Sequence, residues 1–132
     1  MKDIYRRTKT TVSLINYHFV FCPRYRRKIF KVANLENRFK TLVQEICNKN
    51  EINIVAMECH VDHVHLFVNA PPTLSPSDIM QKIKGATSRD IRKEFVEVSR
   101  IPSLWTRSYF VSTTGNASSE TVQKYVEEQK TR

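Results

Sequence analysis

The sequence predicts an α+β fold, a ferredoxin-like β-α-β-β-α-β antiparallel sheet followed by a C-terminal helix. Some stretches carry apolar residues at every second position, and others carry them at every third or fourth. These stretches follow one another in the order β-α-β-β-α-β-α, which places the helices on one face of an antiparallel sheet. The 132 residues contain no repeat, low-complexity tract or linker, which predicts a single domain over residues 1–132.

The first strand and the first helix are predicted from two different spacings. Apolar and polar side chains alternate over residues 11–22, which predicts a strand that Pro23 ends. Helical spacing then predicts a helix over residues 35–48, with Asn34 as a plausible N-cap.

A pair of antiparallel strands is predicted next. Residues 51–58 form the first strand and residues 63–69 the second, with a turn at residues 59–62 between them. In the first strand of this pair, one face is expected to carry Ile52, Ile54 and Ala56.

The second helix is predicted over residues 76–95. Ser75 is a suitable N-cap, Pro76 fits the first helical position, and Asp78 places a negative charge in the first turn.

The last third of the chain is predicted to hold a strand, a turn and a helix. The strand covers residues 104–113, the turn residues 114–116, and the helix residues 118–130 with Ser118 or Ser119 as cap. One face of the strand is expected to carry Trp105, Tyr109 and Val111.

The charge balance predicts a polyanionic partner. Lys and Arg together number 22 against 13 acidic residues, for a formal charge of +9 and a pI near 9.7. Such a balance favours nucleic acid, although a generic basic surface is the alternative.

The composition indicates a soluble protein of the reducing cytoplasm. No apolar run approaches the roughly 18 residues that a transmembrane helix needs, and the N-terminus lacks the apolar segment of a signal peptide. The three cysteines are odd in number and match no zinc pattern, so they are interpreted as free thiols, with a ligand role for Cys59 as an alternative.

The strongest local motif is His63-Val64-His65. Residues two apart on a strand point to the same face, so both imidazoles project from one side and could hold a divalent metal. Asp62 could orient one ring or reach the metal through water. The alternative is a pair of solvated histidines, because this short pattern often occurs by chance.

Tyr125 and Gln129 form the second motif. They are four residues apart and therefore share one face of the last helix, while Val122 and Val126 are expected to pack against the body of the protein. A phenolate can attack phosphorus, and Gln129 could add a neutral oxygen ligand to the metal. A packed aromatic residue is the alternative for Tyr125.

Basic residues interleaved with aromatic ones form the third motif. Lys and Arg follow phosphates, and aromatic rings stack on unpaired bases. The better candidate is the loop with Arg24, Tyr25, Arg26, Arg27 and Lys28. Further candidates are Tyr5, Arg6 and Arg7, and the helical set Lys82, Lys84, Arg89, Arg92 and Lys93, for which a solvated helix face is the alternative.

These motifs together resemble the single-tyrosine HUH transposases of the smallest bacterial and archaeal insertion sequences. The resemblance covers nearly the whole chain. It rests on four blocks that follow in the family's order, residues 24–30, 62–68, 104–113 and 122–129, each of which includes one of the motifs or the last predicted strand.

The resemblance implies a mechanism and a set of residue roles. Tyr125 is the expected nucleophile, and His63, His65 and Gln129 are the expected ligands of Mg²⁺ or Mn²⁺. The implied substrate is single-stranded DNA beside hairpins at the element ends, which is cut through a 5′-phosphotyrosine and rejoined. The implied assembly is a homodimer with a sheet continued across the interface, in which the tyrosine helix of one subunit completes the site of the other.

One departure from the family and three alternative functions stay open. Many relatives carry a Met-Pro-like pair where this chain has His60-Val61, and His60 is interpreted as shaping the turn rather than competing for metal. The alternative functions are a domesticated relative that processes hairpin repeats, a non-catalytic nucleic-acid-binding module, and a structural metal protein. Two histidines disfavour the last, because structural sites usually close with four ligands.

Overall fold

The computed structural model describes residues 5–113 and 119–132, with side chains described for residues 5–113 and 122–132. Four antiparallel strands form the main sheet in the order β4-β5-β3-β6, which is the ferredoxin-like arrangement and confirms the predicted fold class. The elements are β1 (Arg6–Arg7), β2 (Val12–Ser13), β3 (Asn16–Phe21), α1 (Leu35–Lys49), β4 (Asn53–Cys59), β5 (Val64–Asn69), α2 (Pro76–Glu94), β6 (Phe110–Ser112) and α3 (Ser119–Glu128).

Both predicted helices of the core form within one residue of their predicted ends. At the start of α2, the Ser75 hydroxyl accepts from the Asp78 backbone while the Asp78 carboxylate accepts from the Ser75 backbone, a capping box that satisfies two free N–H groups. The Asn34 prediction needs correction. Asn34 precedes α1 with a left-handed φ of 69° and makes no capping side-chain hydrogen bond, because this backbone differs from the extended form that an N-cap requires.

The strand predicted over residues 11–22 is two strands. β2 pairs with β1 in a small separate sheet, whereas β3 lies between β5 and β6 in the main sheet. Between them, the Ile15 carbonyl accepts from Ala70 N. The chain changes its pairing partner at this point, and alternation of side chains alone does not reveal such a change.

The face predicted for the strand over residues 51–58 is wrong at Ala56. A bulge between Ile54 and Ala56 shifts the register, so that Ile54, Met57 and Cys59 pack against the core and Ala56 is exposed. An extra residue in one strand reverses the side-chain alternation beyond it.

The strand predicted over residues 104–113 forms only at its end. Trp105 makes an isolated bridge with Pro23, and regular pairing starts at β6. Trp105 is buried and Tyr109 packs on the core as predicted, but Val111 is exposed. The predicted turn at residues 114–116 and the side-chain cap of the last helix lie outside the described residues.

The sheet separates the core from the site. On one face, α1 and α2 bury apolar side chains such as Phe19, Phe21 and Leu66, each worth about 1.5–3 kcal/mol. On the other face, Val20 and Cys22 pack against α3. None of the described helices has both the length and the apolar character that a bilayer crossing requires.

Candidate metal and nucleophile site

Three histidines meet at one end of the open sheet face. His60 directly follows β4, His63 directly precedes β5 and His65 is the second residue of β5, so the tight turn between the strands brings all three together. The His60 N–H donates to the His63 carbonyl at 2.8 Å and closes this turn. Candidate ligand atoms of the three side chains lie within 4.8 Å of one another, and the cluster could therefore hold a metal ion.

Asp62 orients the ring of His63. Its Oδ1 lies 3.0 Å from His63 Nδ1, and its Oδ2 accepts from Arg26 Nε at 3.0 Å and Arg26 Nη2 at 2.7 Å. Burial alone would raise the pKa of Asp62, but the hydrogen bonds from His63 and Arg26 outweigh burial and hold this pKa below its ordinary value. The ionised carboxylate favours a proton on Nδ1 and leaves His63 Nε2 free as a ligand.

His18 contacts the Nδ1 atom of His65, as Asp62 contacts the Nδ1 atom of His63. Its Nε2 lies 3.1 Å from His65 Nδ1, and its ring stacks on Phe67 with centroids 4.1 Å apart. Burial, followed by the neighbouring histidines, lowers the pKa of His65 to about 4, so the ring is neutral at pH 7. If His65 Nδ1 donates to His18, the lone pair of His65 Nε2 is available to a metal.

The donor set fits a divalent cation. Two imidazoles have their Nδ1 atoms engaged by protein partners, and this leaves their Nε2 atoms for coordination. His18 Nδ1 is buried without a described hydrogen-bond partner. If His18 Nε2 accepts from His65, the neutral His18 ring carries its proton on this Nδ1.

The histidines line a cavity of about 530 Å³ between the sheet and α3. The α3 residues that line it are Val122, Gln123, Val126 and Glu127. Val122 and Val126 are buried against β3, as predicted from the helical spacing. Glu127 approaches the cluster indirectly, since its Oε1 lies 3.7 Å from Arg26 Nη1.

Tyr125 and Gln129 lie together on a different side of α3, as their spacing predicts. The Ser108 hydroxyl donates to Gln129 Oε1 at 3.0 Å, and the Tyr125 hydroxyl lies 3.0 Å from the same Ser108 oxygen. Gln129 Nε2 also donates to the Tyr125 carbonyl at 3.1 Å. Within one chain, therefore, the glutamine oxygen is engaged by Ser108, and neither residue lines the histidine cavity.

The phenol of Tyr125 is protonated at neutral pH. Burial raises the pKa of Tyr125 to about 12, although the hydrogen bond with Ser108 opposes this effect. A nucleophilic Tyr125 therefore needs a partner that lowers its pKa or assists the leaving group.

The basic loop is divided between two environments. Arg26 is held by Asp62, whereas Arg27 and Lys28 are exposed and Arg24 is half-buried. The guanidinium carbons of Arg24 and Arg27 lie 5.6 and 5.2 Å from the centroid of the exposed Tyr25 ring. This arrangement presents cations and an aromatic face together at the surface.

Three residues of the site region have roles that the sequence did not indicate. His18 contacts His65 across the sheet, Ser108 joins Tyr125 to Gln129, and Lys84 donates to the Ser108 carbonyl at 2.9 Å. Burial lowers the pKa of Lys84 to about 8. The alternation in β3 places His18 on the face of the open sheet, but its pairing with His65 requires the register between strands.

The chain is a ferredoxin-like domain with a histidine cluster that could hold a metal ion on the sheet face opposite α1 and α2. Beyond the last strand, the helix α3 carries Tyr125. The model of the family described as "Transposase IS200 like" matches residues 11–129. The chain therefore belongs to the IS200-like transposase family.

Individual relatives agree with this assignment. The chain is 30% identical over 116 residues to the transposase for insertion sequence element IS200 of Salmonella typhimurium, covering 86% of this chain and 75% of that protein. It is 29% identical over 121 residues to the ISDra2 transposase TnpA of Deinococcus radiodurans, covering 87% and 84%.

Two solved structures share the fold. A candidate transposase from Deinococcus radiodurans R1 superposes with a TM-score of 0.85 and 27% identity, over 94% of this chain and 97% of the other. A REP-associated tyrosine transposase bound to a REP hairpin has a TM-score of 0.59 and 10% identity, over 92% of this chain and 68% of the other. The second likeness concerns the fold alone.

Proposed function

We propose that this IS200-like transposase is a metal-dependent single-stranded DNA endonuclease and strand transferase. The observation that carries the proposal is the engagement of Nδ1 in both His63 and His65, which leaves two Nε2 atoms as metal ligands beside a tyrosine-bearing helix. In this function Tyr125 is the nucleophile. Gln129 supplies a further metal ligand once α3 is docked against the histidine cluster of either subunit. The family membership supports these roles.

The chemistry is a transesterification that conserves the phosphodiester. The Tyr125 Oη attacks the scissile phosphorus, and an Oη–P bond forms as the bond from phosphorus to the 3′ oxygen breaks. The phenolic proton leaves to solvent, and the 3′ oxygen takes a proton and departs as a hydroxyl. A Mg²⁺ or Mn²⁺ ion held by His63, His65 and Gln129 would polarise the phosphate and stabilise the leaving oxygen. In the rejoining step, a 3′ hydroxyl attacks the phosphotyrosine and releases Tyr125.

The residues of one chain support a site shared between two copies. Tyr125 and Gln129 are held by Ser108, while the histidine cavity is lined by other residues of α3. An α3 helix from a partner subunit, docked differently, would bring a tyrosine to the cluster, as the family resemblance implies. The homodimer is therefore part of the proposal.

The proposed substrate is single-stranded DNA next to a hairpin. A formal charge of +9 favours a polyanion, and the exposed part of the basic loop combines Arg27 and Lys28 with the ring of Tyr25. Such a surface suits phosphates and unpaired bases. A structure with a similar fold contains a bound hairpin, which supports this substrate class.

The decisive experiment is adduct formation on labelled single-stranded DNA from the flanks of the gene. With Mg²⁺ or Mn²⁺, we expect a covalent protein–DNA band on a denaturing gel, and we expect EDTA to prevent it. Tyr125→Phe should abolish the band and keep DNA binding, since it removes one hydroxyl. Tyr109→Phe is the matched control and should keep the band, because Tyr109 packs on the core rather than against Ser108.

Two outcomes would contradict the proposal. A covalent band that persists in Tyr125→Phe would assign the nucleophile to another residue. DNA binding without a band on any flank-derived strand would instead indicate a non-catalytic binding module.

A further inference from the structure

We propose that His60 is a third imidazole ligand, and that the resulting three-histidine site selects a transition-metal ion such as Mn²⁺ over Mg²⁺. This inference rests on the proposed function, because it concerns the metal of the same site. The sequence alone favours a turn-shaping role for His60. The structure instead places its ring with the other two histidines, where candidate ligand atoms of all three side chains lie within 4.8 Å of one another.

The backbone holds His60 in place while its side chain is free to adjust. The hydrogen bond from His60 N to the His63 carbonyl fixes the turn. The His60 ring stacks on His63 with centroids 4.4 Å apart, and its side chain is 50% exposed. Metal–nitrogen bonds of about 2.1 Å require ligand nitrogens roughly 3–4 Å apart. The His60 ring is nearly parallel to that of His63, at 7°, so a rotation of this half-exposed ring out of the stack would bring its nitrogen into this range without moving the core.

The competing role for His60 is a surface ion pair with Glu58. The two side chains approach to 3.8 Å, and both are at least half exposed. An exposed pair of this kind contributes little to stability. It also gives no reason for three imidazoles to meet at the mouth of a cavity, whereas a metal ligand role does.

A third imidazole changes which ion the site prefers. Mg²⁺ favours oxygen ligands and keeps much of its bound water. Affinity for imidazole ligands is lowest for Mg²⁺, higher for Mn²⁺ and highest for Co²⁺ and Zn²⁺. The oxygen of Gln129 is engaged by Ser108 in the DNA-free chain. The histidine cluster therefore binds its ion before Gln129 is delivered, and His60 replaces the missing ligand at this stage.

The test is metal binding to the full chain without DNA, measured by Mn²⁺ electron paramagnetic resonance with Mg²⁺ as competitor. We expect wild-type protein to retain Mn²⁺ against a large excess of Mg²⁺. His60→Ala and His60→Phe should each weaken Mn²⁺ binding on the order of tenfold or more. The phenylalanine variant keeps a ring that can stack on His63, so it separates loss of a ligand from loss of packing.

One control variant completes the design. Val61→Ala changes the same turn without removing a ligand and should bind Mn²⁺ as wild type does. Circular dichroism of each metal-free variant checks that the fold is intact.

Wild-type Mn²⁺ affinity in both His60 variants would overturn the inference. Displacement of Mn²⁺ by equimolar Mg²⁺ in the wild-type protein would overturn it as well. Neither result affects the proposed function, whose test is the Tyr125-dependent adduct at saturating metal. Conversely, a missing adduct in protein that shows His60-dependent Mn²⁺ binding would reject the nuclease and keep the metal site.

Discussion

In the proposed metal site, His18 would determine which nitrogen of His65 is available to the metal, by accepting a hydrogen bond from His65 Nδ1. The two rings contact each other through His18 Nε2 and His65 Nδ1 at 3.1 Å, and the other neighbour of the His18 ring is the stacked ring of Phe67. An imidazole whose Nδ1–H has a fixed acceptor presents a lone pair at Nε2 in a fixed direction. In the proposed site, His18 therefore has the role of a positioning residue rather than of a ligand.

Replacing His18 should weaken metal binding without removing a ligand. His18→Phe keeps a ring that can stack on Phe67 but loses the acceptor of His65 Nδ1. We expect Mn²⁺ affinity to fall about ten- to a hundredfold, measured by paramagnetic resonance titration.

The matched control for this variant is Phe67→Leu, which removes the stacked ring and leaves the hydrogen bond between the histidines. This control should retain most of the affinity. Equal metal binding by wild type and His18→Phe would show that the hydrogen bond does not position His65.

At the scale of single residues, the sequence predicted side chains that share a strand or a helix face. Alternation predicts that His63 and His65 lie together, and their ring centroids are 5.1 Å apart. The helical repeat pairs Tyr125 with Gln129, and the two residues share a hydrogen bond. The contact of Ser108 with Tyr125 was not predictable, because it joins an irregular segment to a helix. The meeting of His60 with the cluster depends on the geometry of the turn, which a residue pattern does not specify.

The helix α3 is attached to the sheet by a small apolar contact. Val122 and Val126 pack on Val20 and Cys22, a cluster separate from the main core. Because this cluster has far fewer buried residues than the main core, we expect α3 to be held less tightly than α1 or α2. Such an attachment would suit the proposed delivery of Tyr125 by an α3 helix docked in another position.

Val126→Ala should loosen α3 selectively. The side chain is 5% exposed, and the loss of two methyl groups should cost about 1–2 kcal/mol of docking energy. We expect amide hydrogen exchange to accelerate throughout α3 while exchange in α1 stays unchanged, as measured by mass spectrometry.

Val96→Ala serves as the control, because Val96 is 82% exposed and lies outside this cluster. It should leave α3 exchange at the wild-type rate. Equal acceleration in α1 and α3 after Val126→Ala would mean that the helix unfolds only with the whole domain.

At the scale of elements, the helices were the more predictable part. Capping residues mark the start of α2 in the sequence itself, and the apolar stripe of α1 spans its whole length. The limits and the register of a strand depend on its pairing partners, which local sequence patterns do not identify. For this reason the predictions missed the exchange of partners between β2 and β3, the bulge in β4 and the short extent of β6.

For the whole molecule, the central question is whether one chain or two build a complete site. A mixture of two inactive variants answers it. His63→Ala retains Tyr125 but loses a metal ligand, and Tyr125→Phe retains the cluster but loses the nucleophile. If sites are shared, a mixed dimer has one intact site, and the adduct forms on the His63→Ala chain.

We expect an equimolar, subunit-exchanged mixture to give about a quarter of the wild-type adduct, since half of the dimers are mixed and each has one working site. The measurement is the band on a denaturing gel, with chains of different mass to identify the labelled one. Each variant alone should give no adduct. A mixture that stays inactive while mixed dimers are detected would place both halves of the site in the same chain.

The alternation of side chains along β5 also determines which mutations in this segment the protein tolerates. Val64, Leu66 and Val68 face the core, whereas His65, Phe67 and Asn69 face the other side. A point mutation at a core-facing position therefore affects folding, whereas a point mutation on the other face affects the proposed site. The two properties can change independently. Insertion or deletion of one codon in this segment would exchange the two sets and destroy both properties together. The bulge in β4 tolerates an extra residue next to the same strand, so length variation among descendants of this gene should collect there rather than in β5.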